Sequence, residues 1–202
     1  DGGSAESAIS TYWASLRDAG TRAHPPVAML HLDPARPRDA QNHSLEEMEP
    51  DIKTVLKAWS SHLQIGPKGP AILLDLSPRL DTVQRAMVDG ILETTFPGTS
   101  WTWEWLSRGG GRVDRLSVWV GSLSSNCSNR CMRVGRKKIV ASIEGEGAGA
   151  VEESFNSVME IPRGAYLTIV DPVLIESGLQ NSWHEKAVGS GSGSSWVRIE
   201  GR

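Results

Sequence analysis

The sequence predicts an α/β protein, a single layered domain in which helices pack on a mixed sheet of about six strands. Short apolar segments alternate along the chain with segments of helical periodicity, and this alternation is typical of α/β folds. The chain has 202 residues, of which 39% are hydrophobic and 22% charged, so it is long enough to bury a core. We therefore expect one domain over residues 1–188.

The first two predicted elements are a helix and a strand. Apolar side chains recur at helical spacing over about residues 5–19, as at Ile9, Trp13 and Leu16. Residues 27–34 then form an apolar segment that predicts a buried strand. Together they give the first step of the alternation.

A second, amphipathic helix is predicted to run from residue 44 to near the GPKGP segment at 66–70. Ser44 and Glu47 form a capping-box pattern at its start, in which each side chain can bond a backbone amide near the other residue. Pro50 lies inside this segment and has no amide hydrogen, so the regular helix can also begin only there. The sequence leaves both starts open.

The clearest core strand is residues 71–77, whose nearly continuous apolar run is typical of a strand covered on both faces. Ser77 and Pro78 then resemble an N-cap followed by a first-turn proline. They predict a helix that runs to about Thr95. Helical spacing predicts that its inward side chains are Val83, Met87, Ile91 and Leu92.

A central, Trp-rich hairpin is predicted next. Residues 99–108 and 113–122 are strand-like, and a short glycine-rich link joins them, which favours an antiparallel pair. The segment after it, which carries Cys127 and Cys131, is interpreted as a loop. Two cysteines supply only half of the ligands of a structural zinc site.

The remaining predictions concern the C-terminal part. Strands are expected at residues 137–144 and 165–171, with a helix at 150–161 between them. Asp171 before a proline predicts the N-cap of a short final helix. Residues 189–202 begin with a Gly/Ser run and end in IEGR, which resembles a processing-protease recognition sequence, so we interpret them as a linker and an engineered tail.

Charge is unevenly distributed along the chain. Residues 99–138 hold eight basic and two acidic side chains, a charge of +6, whereas the rest of the chain carries −9. Clustered positive charge attracts polyanions whatever the fold. The predicted phosphate-contacting residues are Arg108, Arg112, Arg115, Arg130, Arg133, Arg136, Lys137 and Lys138.

Half of the eight tryptophans fall in the same segment. Trp101, Trp103 and Trp105 lie two residues apart, so a strand projects all three indoles from one face, and Trp119 lies on the next predicted strand. Indoles beside arginines can stack on the bases of single-stranded nucleic acid. Large aromatic residues are more often buried, however, and these indoles can equally form the floor under a helix.

Carboxylates stand at several predicted strand ends, where α/β sheets bind ligands. Asp33, Asp75, Glu144 and Asp171 could hold Mg²⁺ for phosphoryl hydrolysis. Their proline and serine neighbours also fit plain turn and N-cap chemistry, which is the favoured interpretation. No GxSxG, HExxH or phosphate-loop pattern occurs in the sequence, so an enzyme is not favoured, and no metal or cofactor is predicted.

The sequence therefore predicts a non-catalytic domain that binds a polyanion, foremost RNA or single-stranded nucleic acid. The alternative is a protein–protein interaction or assembly domain that self-associates or binds a protein partner through the hairpin. A metal-dependent phosphoryl hydrolase or nuclease is the third interpretation. Few cysteines, no signal-peptide pattern and no apolar run of roughly 18–20 residues favour the cytoplasm or nucleus, a reducing compartment, without a membrane partner.

Overall fold

The computed structural model describes residues 4–18, 26–35, 44–147, 156–158, 163–164, 169–188 and 197–199. Its α-helices are α1 (Ala5–Asp18), α2 (Ile52–Trp59), α3 (Thr82–Thr95), α4 (Pro172–Glu176) and α5 (Gln180–Val188). Its strands are β1 (Leu30–Leu32), β2 (Ile65–Gly66), β3 (Gly69–Pro70), β4 (Ile72–Leu76), β5 (Trp101–Ser107), β6 (Arg115–Val120), β7 (Asn129–Val134), β8 (Ile139–Gly145), β9 (Asn156–Val158) and β10 (Val197–Ile199).

Six strands form a mixed sheet in the order β1-β4-β6-β5-β7-β8, which confirms the predicted α/β class. β1 runs parallel to β4, whereas β4 and β6 are antiparallel, as are β7 and β8. Two smaller pairs, β2 with β3 and β9 with β10, accompany it. The chain divides into two compact units, which we describe separately: residues 1–103 with 115–126, and residues 104–114 with 127–202.

The core of the first unit lies on one face of β4 and β6. Ile72 pairs with Val120 and Leu74 with Val118, and all four side chains are completely buried. Helices α2 and α3 contribute buried residues as well, Leu56 among them. The nearly continuous apolar run of the sequence therefore identified the central strand of this core correctly.

The start of α2 differs from the capping-box prediction. Ser44 makes no side-chain cap hydrogen bond, and only a short 3-10 helix follows it at Leu45–Glu47. The regular helix begins after Asp51, whose Oδ2 accepts a hydrogen bond from the amide of Thr54 at 2.7 Å. Hydrogen bonding to Thr54 lowers the pKa of Asp51. The alternative start near Pro50 is thus the correct one.

Helix α3 also begins later than predicted. Its capping box is formed by Asp81 and Gln84, not by Ser77 with Pro78. The predicted inward face is wrong in part, because the side chains of Val83 and Met87 lie exposed. The side chains that α3 buries are those of Val88 and Leu92.

In the second unit, β7 and β8 form an antiparallel pair. Helix α4 contacts β7 and α5 contacts β8, and Cys131, Ile143 and Leu179 are among the side chains buried in this unit. The predicted loop after residue 122 is therefore wrong at β7, where Cys131 faces the core of the unit. Short α4 begins as predicted, with the Asp171 carboxylate accepting a hydrogen bond from the Val173 amide at 3.3 Å.

Two C-terminal predictions are wrong where the structure describes them. Residues 156–158 form strand β9 instead of the middle of a helix, and β9 pairs with β10, which lies in the segment interpreted as a tail. Residues 169–171 belong to no strand. The rest of the predicted helix at 150–161 and strand at 165–171 lies outside the described residues. None of the helices within the described ranges is long and apolar enough to cross a membrane.

Candidate functional site

Two of the three tryptophans of β5, Trp103 and Trp105, are buried. In the first unit, the Nε1 groups of Trp101 and Trp103 donate hydrogen bonds to the same atom, Oδ1 of Asp89 on α3, at 2.7 and 2.9 Å. The side chain of Trp103 is buried, and so is that of Trp105 in the second unit. Stacking of bases requires exposed ring faces. The stacking role predicted for Trp103 and Trp105 is therefore wrong, while Trp101 and Trp119 are half-buried.

The other face of β5 is buried as well. Thr102 Oγ1 accepts a hydrogen bond from the Ser125 amide at 2.9 Å within the first unit. In the second unit, Glu104 is 4% exposed and accepts a hydrogen bond from Nε of Arg130 at 2.5 Å. Arg130 also donates to Glu144 at 3.2 Å. Since two carboxylates bind its guanidinium and its side chain is only 19% exposed, Arg130 is a mostly buried ion-pair residue whose charge is offset by its partners.

The glycine-rich link has a conformation that depends on glycine. Gly109, Gly110 and Gly111 have φ angles of +90°, +84° and +73°, in the left-handed region. The Asp114 carboxylate accepts hydrogen bonds from the backbone amide of Arg108 at 2.6 Å and from Nε of Arg112 at 3.2 Å. The bond from the Arg108 amide is the main reason why the pKa of Asp114 is lowered. Both arginine side chains remain exposed.

Arg133 connects this link to β7. A Cβ atom at Gly109 would lie 2.7 Å from a terminal guanidinium nitrogen of Arg133, so the two residues are in close contact. Arg133 also forms an ion pair with Asp171 at 2.9 Å, and its side chain is 49% exposed. Arg133 thus lies beside the link, with its charge partly offset.

The turn between β7 and β8 carries three adjacent exposed cations. The amide of Gly135 donates to the carbonyl oxygen of Lys138 at 2.8 Å and closes the turn. Arg136, Lys137 and Lys138 are all exposed. Within the described residues, none of these three side chains has a carboxylate within ion-pair distance. The same holds for the side chain of Arg108.

The eight predicted basic residues therefore do not form one surface, because they differ in unit, burial and ion pairing. Seven of them belong to the second unit, whereas Arg115 belongs to the first, where it lies 3.5 Å from Asp75. Arg130 is mostly buried in ion pairs, and Arg112 and Arg133 are paired. We call the six of these eight residues that are exposed in the second unit the basic surface: Arg108, Arg112, Arg133, Arg136, Lys137 and Lys138.

Three of the four carboxylates of the metal hypothesis, all except Asp33, have other partners among the described residues. Asp171 is an N-cap and binds Arg133, Glu144 binds Arg130, and Asp75 accepts a hydrogen bond from Ser117 at 2.6 Å. In the part of the chain that the structure describes, no three His, Cys, Asp or Glu side chains are grouped so that they could hold a metal ion.

A cavity of about 280 Å³ lies in the second unit, below β7 and β8. Cys131, Ile143, Val173 and Trp183 are among the mainly apolar residues that line it, and Arg133 also contributes. Burial raises the pKa of the Cys131 thiol to about 11, so this thiol stays protonated at neutral pH. A protonated buried thiol is a poor nucleophile and behaves as an apolar side chain.

The described geometry defines an α/β protein with a basic surface in its second unit. Comparison of this chain with protein families, with curated proteins and with solved structures finds no match. Sequence reasoning missed Asp89, which binds two indoles, and the pairing of His31 with Asp75. Asp89 lies on the helix that we predicted to pack on the sheet. Its position on that helix is the one sequence signal that could have identified it.

Proposed function

We propose that the protein binds a polyanion, foremost RNA or single-stranded nucleic acid, through the basic surface of its second unit. The observation that carries the proposal is the turn with Arg136, Lys137 and Lys138, three adjacent exposed cations without a carboxylate partner among the described residues. On most protein surfaces, positive and negative side chains are interspersed. These three adjacent cations have no carboxylate partner among the described residues, so together they give a local charge of +3.

Binding through this surface is electrostatic. Lys and Arg side chains displace counterions condensed along a nucleic-acid backbone, and this release drives association without base readout. Arg108 lies in the link that contacts Arg133, so it extends the positive region beyond the turn. Because Trp103 and Trp105 are buried, the proposal rests on phosphate contacts and not on stacking.

The salt dependence of binding tests this proposal. We would measure fluorescence anisotropy of labelled RNA and single-stranded DNA of about 20 nucleotides, which exceeds the roughly 4–16 nucleotides of typical single-strand sites. The test variant is Arg136→Ser/Lys137→Ser/Lys138→Ser. With about 0.7 counterions released per phosphate contact, the slope of log K against log salt should fall in magnitude by about 2.

The matched control is Arg17→Ser/Lys53→Ser/Lys57→Ser, which removes the same charge from exposed positions on α1 and α2. We expect the control to keep the slope of the unmodified protein. Absence of binding even at about 50 mM salt, or equal effects of both triple variants, would contradict a localised polyanion site. A duplex of the same length, run in parallel, compares binding to single and double strands.

A protein partner is the second candidate, because β8 is the last strand in the order of the six-stranded sheet. The side chains of Ile139 and Val140 are 59% and 58% exposed there. An exposed apolar edge strand can pair with a strand of another chain. Ile139→Lys should then abolish self-association measured by sedimentation, and a concentration-independent monomer in the unmodified protein would argue against assembly.

A further inference from the structure

Four polar side chains meet on one face of the sheet in the first unit. Asp75 on β4 pairs in register with Ser117 on β6, and Arg115 lies two residues before Ser117 on the same face. His31 on β1 pairs with Leu73, which is two residues before Asp75, so His31 shares this face as well. We call these four residues the Asp75 cluster.

The carboxylate of Asp75 is held at both oxygens. Ser117 Oγ donates to Oδ1 at 2.6 Å, and His31 Nε2 lies 3.0 Å from Oδ2. Because an ionised carboxylate only accepts hydrogen bonds, Nε2 carries the hydrogen of that bond. Arg115 Nη1 lies 3.5 Å from the same Oδ2 atom. Since Asp75 itself is 9% exposed, it is a fixed anchor on which an imidazole and a guanidinium converge.

The two groups on this anchor keep further hydrogen-bonding capacity. The side chains of His31 and Arg115 are 50% and 57% exposed. Across the described ranges, no residue accepts a hydrogen bond from the Arg115 guanidinium, and none forms a hydrogen bond with Nδ1 of His31. The cluster therefore presents the guanidinium donors and one imidazole nitrogen beside each other at the surface of the unit.

We propose that His31 and Arg115, both positioned by Asp75, form a binding site for the phosphate group of a small phosphorylated molecule. Phosphate is tetrahedral and accepts hydrogen bonds from several directions, so it can bind a guanidinium fork and an imidazolium at the same time. With His31 protonated, the net charge of the cluster is +1. This charge suits one phosphate group, whereas the three adjacent cations of the basic surface suit a chain of phosphates.

The direct test is a titration of the whole protein with inorganic phosphate at about pH 6, where imidazoles are largely protonated. The readout is the NMR position of the His31 ring protons. We expect a saturable shift with a dissociation constant on the order of 1 mM, typical of a small anion. Arg115→Gln should weaken binding about tenfold, which is the loss of one charge-assisted hydrogen bond, whereas Arg17→Gln removes an exposed charge on α1 and should leave it unchanged.

Asp75→Asn separates a positioned site from a simple patch of positive charge. Removal of the negative charge makes the cluster more positive, so a charge patch would bind phosphate more tightly. A positioned site would bind it several-fold more weakly, because the anchor of His31 and Arg115 is lost. Ser117→Ala changes no charge and should also weaken binding, since Oδ1 of Asp75 then loses its hydrogen bond.

Thermal melts establish that each variant is folded, and if Asp75→Asn is not, the decision rests on Arg115→Gln, whose side chain is 57% exposed and which keeps the His31 ring as the readout. Weaker binding in the variants of the cluster with no change in Arg17→Gln supports the proposal. Three results would overturn it: no saturable shift of His31, tighter binding by folded Asp75→Asn, or equal affinity for acetate.

Discussion

Strand β5 and the turn between β7 and β8 belong to the same basic, tryptophan-rich segment of the sequence, and their side chains have opposite fates. On β5, Trp103, Glu104 and Trp105 are all buried. In the turn, Arg136, Lys137 and Lys138 are all exposed. A charge count treats every cation of the segment alike. In the structure, Glu104 and Glu144 pair with Arg130 inside the second unit, whereas the turn cations have no carboxylate partner among the described residues.

The comparison teaches that charge serves two purposes here. Glu104 and Arg130 are buried charges, and burial of a charge is tolerable only when it is paired and hydrogen-bonded. The turn cations remain hydrated and lose little when they stay unpaired, so they are available to a partner. Variants that act on one region and spare the other test this division.

The largest effect is expected for Glu104→Leu. This substitution removes the buried carboxylate that binds Nε of the mostly buried Arg130 guanidinium, and loss of one partner of a buried pair costs about 3–5 kcal/mol. We expect a loss near the lower limit, about 3 kcal/mol, because Glu144 remains. Urea denaturation measures it. Salt-dependent binding of nucleic acid by the protein that remains folded should be unchanged.

The double variant Glu104→Leu/Arg130→Met is the control for this interpretation. Replacement of a buried ion pair by apolar side chains of similar size is often neutral, so it should recover most of the lost stability. Glu93→Gln, an exposed change on α3, should stay within about 0.5 kcal/mol of the unmodified protein. If Glu104→Leu were equally harmless, the interpretation that the ion pair of Glu104 and Arg130 stabilises the second unit would be wrong.

Sequence patterns correctly predicted those elements in which the residues of the element itself determine its type and its burial. The apolar run at 71–77 identified β4, and Asp171 before Pro172 identified the cap of α4. The start of α3 was misplaced because Ser77 with Pro78 and Asp81 with Gln84 both satisfy the rules for helix starts. Only the packing around the first turn selects between the two.

Strand β7 could not be recognised from its residues, since Asn129, Arg130 and Arg133 resemble loop residues. Arg130 belongs inside only because Glu104, which is distant in sequence, supplies a buried carboxylate. The direction of the tryptophan row was undecidable for the same reason, because the acceptor of its indoles, Asp89, lies on another element. The cations of the basic turn were identified from the sequence, although Lys137 and Lys138 were placed on a strand that begins only at Ile139.

An intermediate effect is expected for Asp89→Ala. The indole N–H groups of Trp101 and Trp103 lose their common acceptor, and an unsatisfied buried donor costs about 1–3 kcal/mol. Water can reach the half-buried Trp101, so we expect about 2 kcal/mol in urea denaturation, with altered tryptophan fluorescence. Asp89→Asn keeps one acceptor oxygen and should lose less. Unchanged stability in Asp89→Ala would show that α3 does not secure the tryptophan row.

The smallest effect is expected for Asp114→Asn, which changes the basic surface and not the core. The amide oxygen can still accept from the Arg108 amide, but the charge that attracts Arg108 and Arg112 is gone. One added unit of positive charge should tighten nucleic-acid binding about two- to threefold at low salt, since surface electrostatics are worth fractions of a kcal/mol. Weaker or unchanged binding would indicate that Asp114 positions these arginines and does not merely offset their charge.

The pH dependence of stability gives the same variant a second measurement. The folded-state pKa of Asp114 is lowered, chiefly by the Arg108 amide, so its ionised form stabilises the fold at pH values above its ordinary pKa of 3.8. That contribution disappears as the pH falls through the lowered pKa. The unmodified protein should therefore lose more stability between neutral pH and strong acid than Asp114→Asn does, by a small margin. Identical acid profiles would mean that the carboxylate has no role in stabilising the link, and its influence would then be confined to the binding surface.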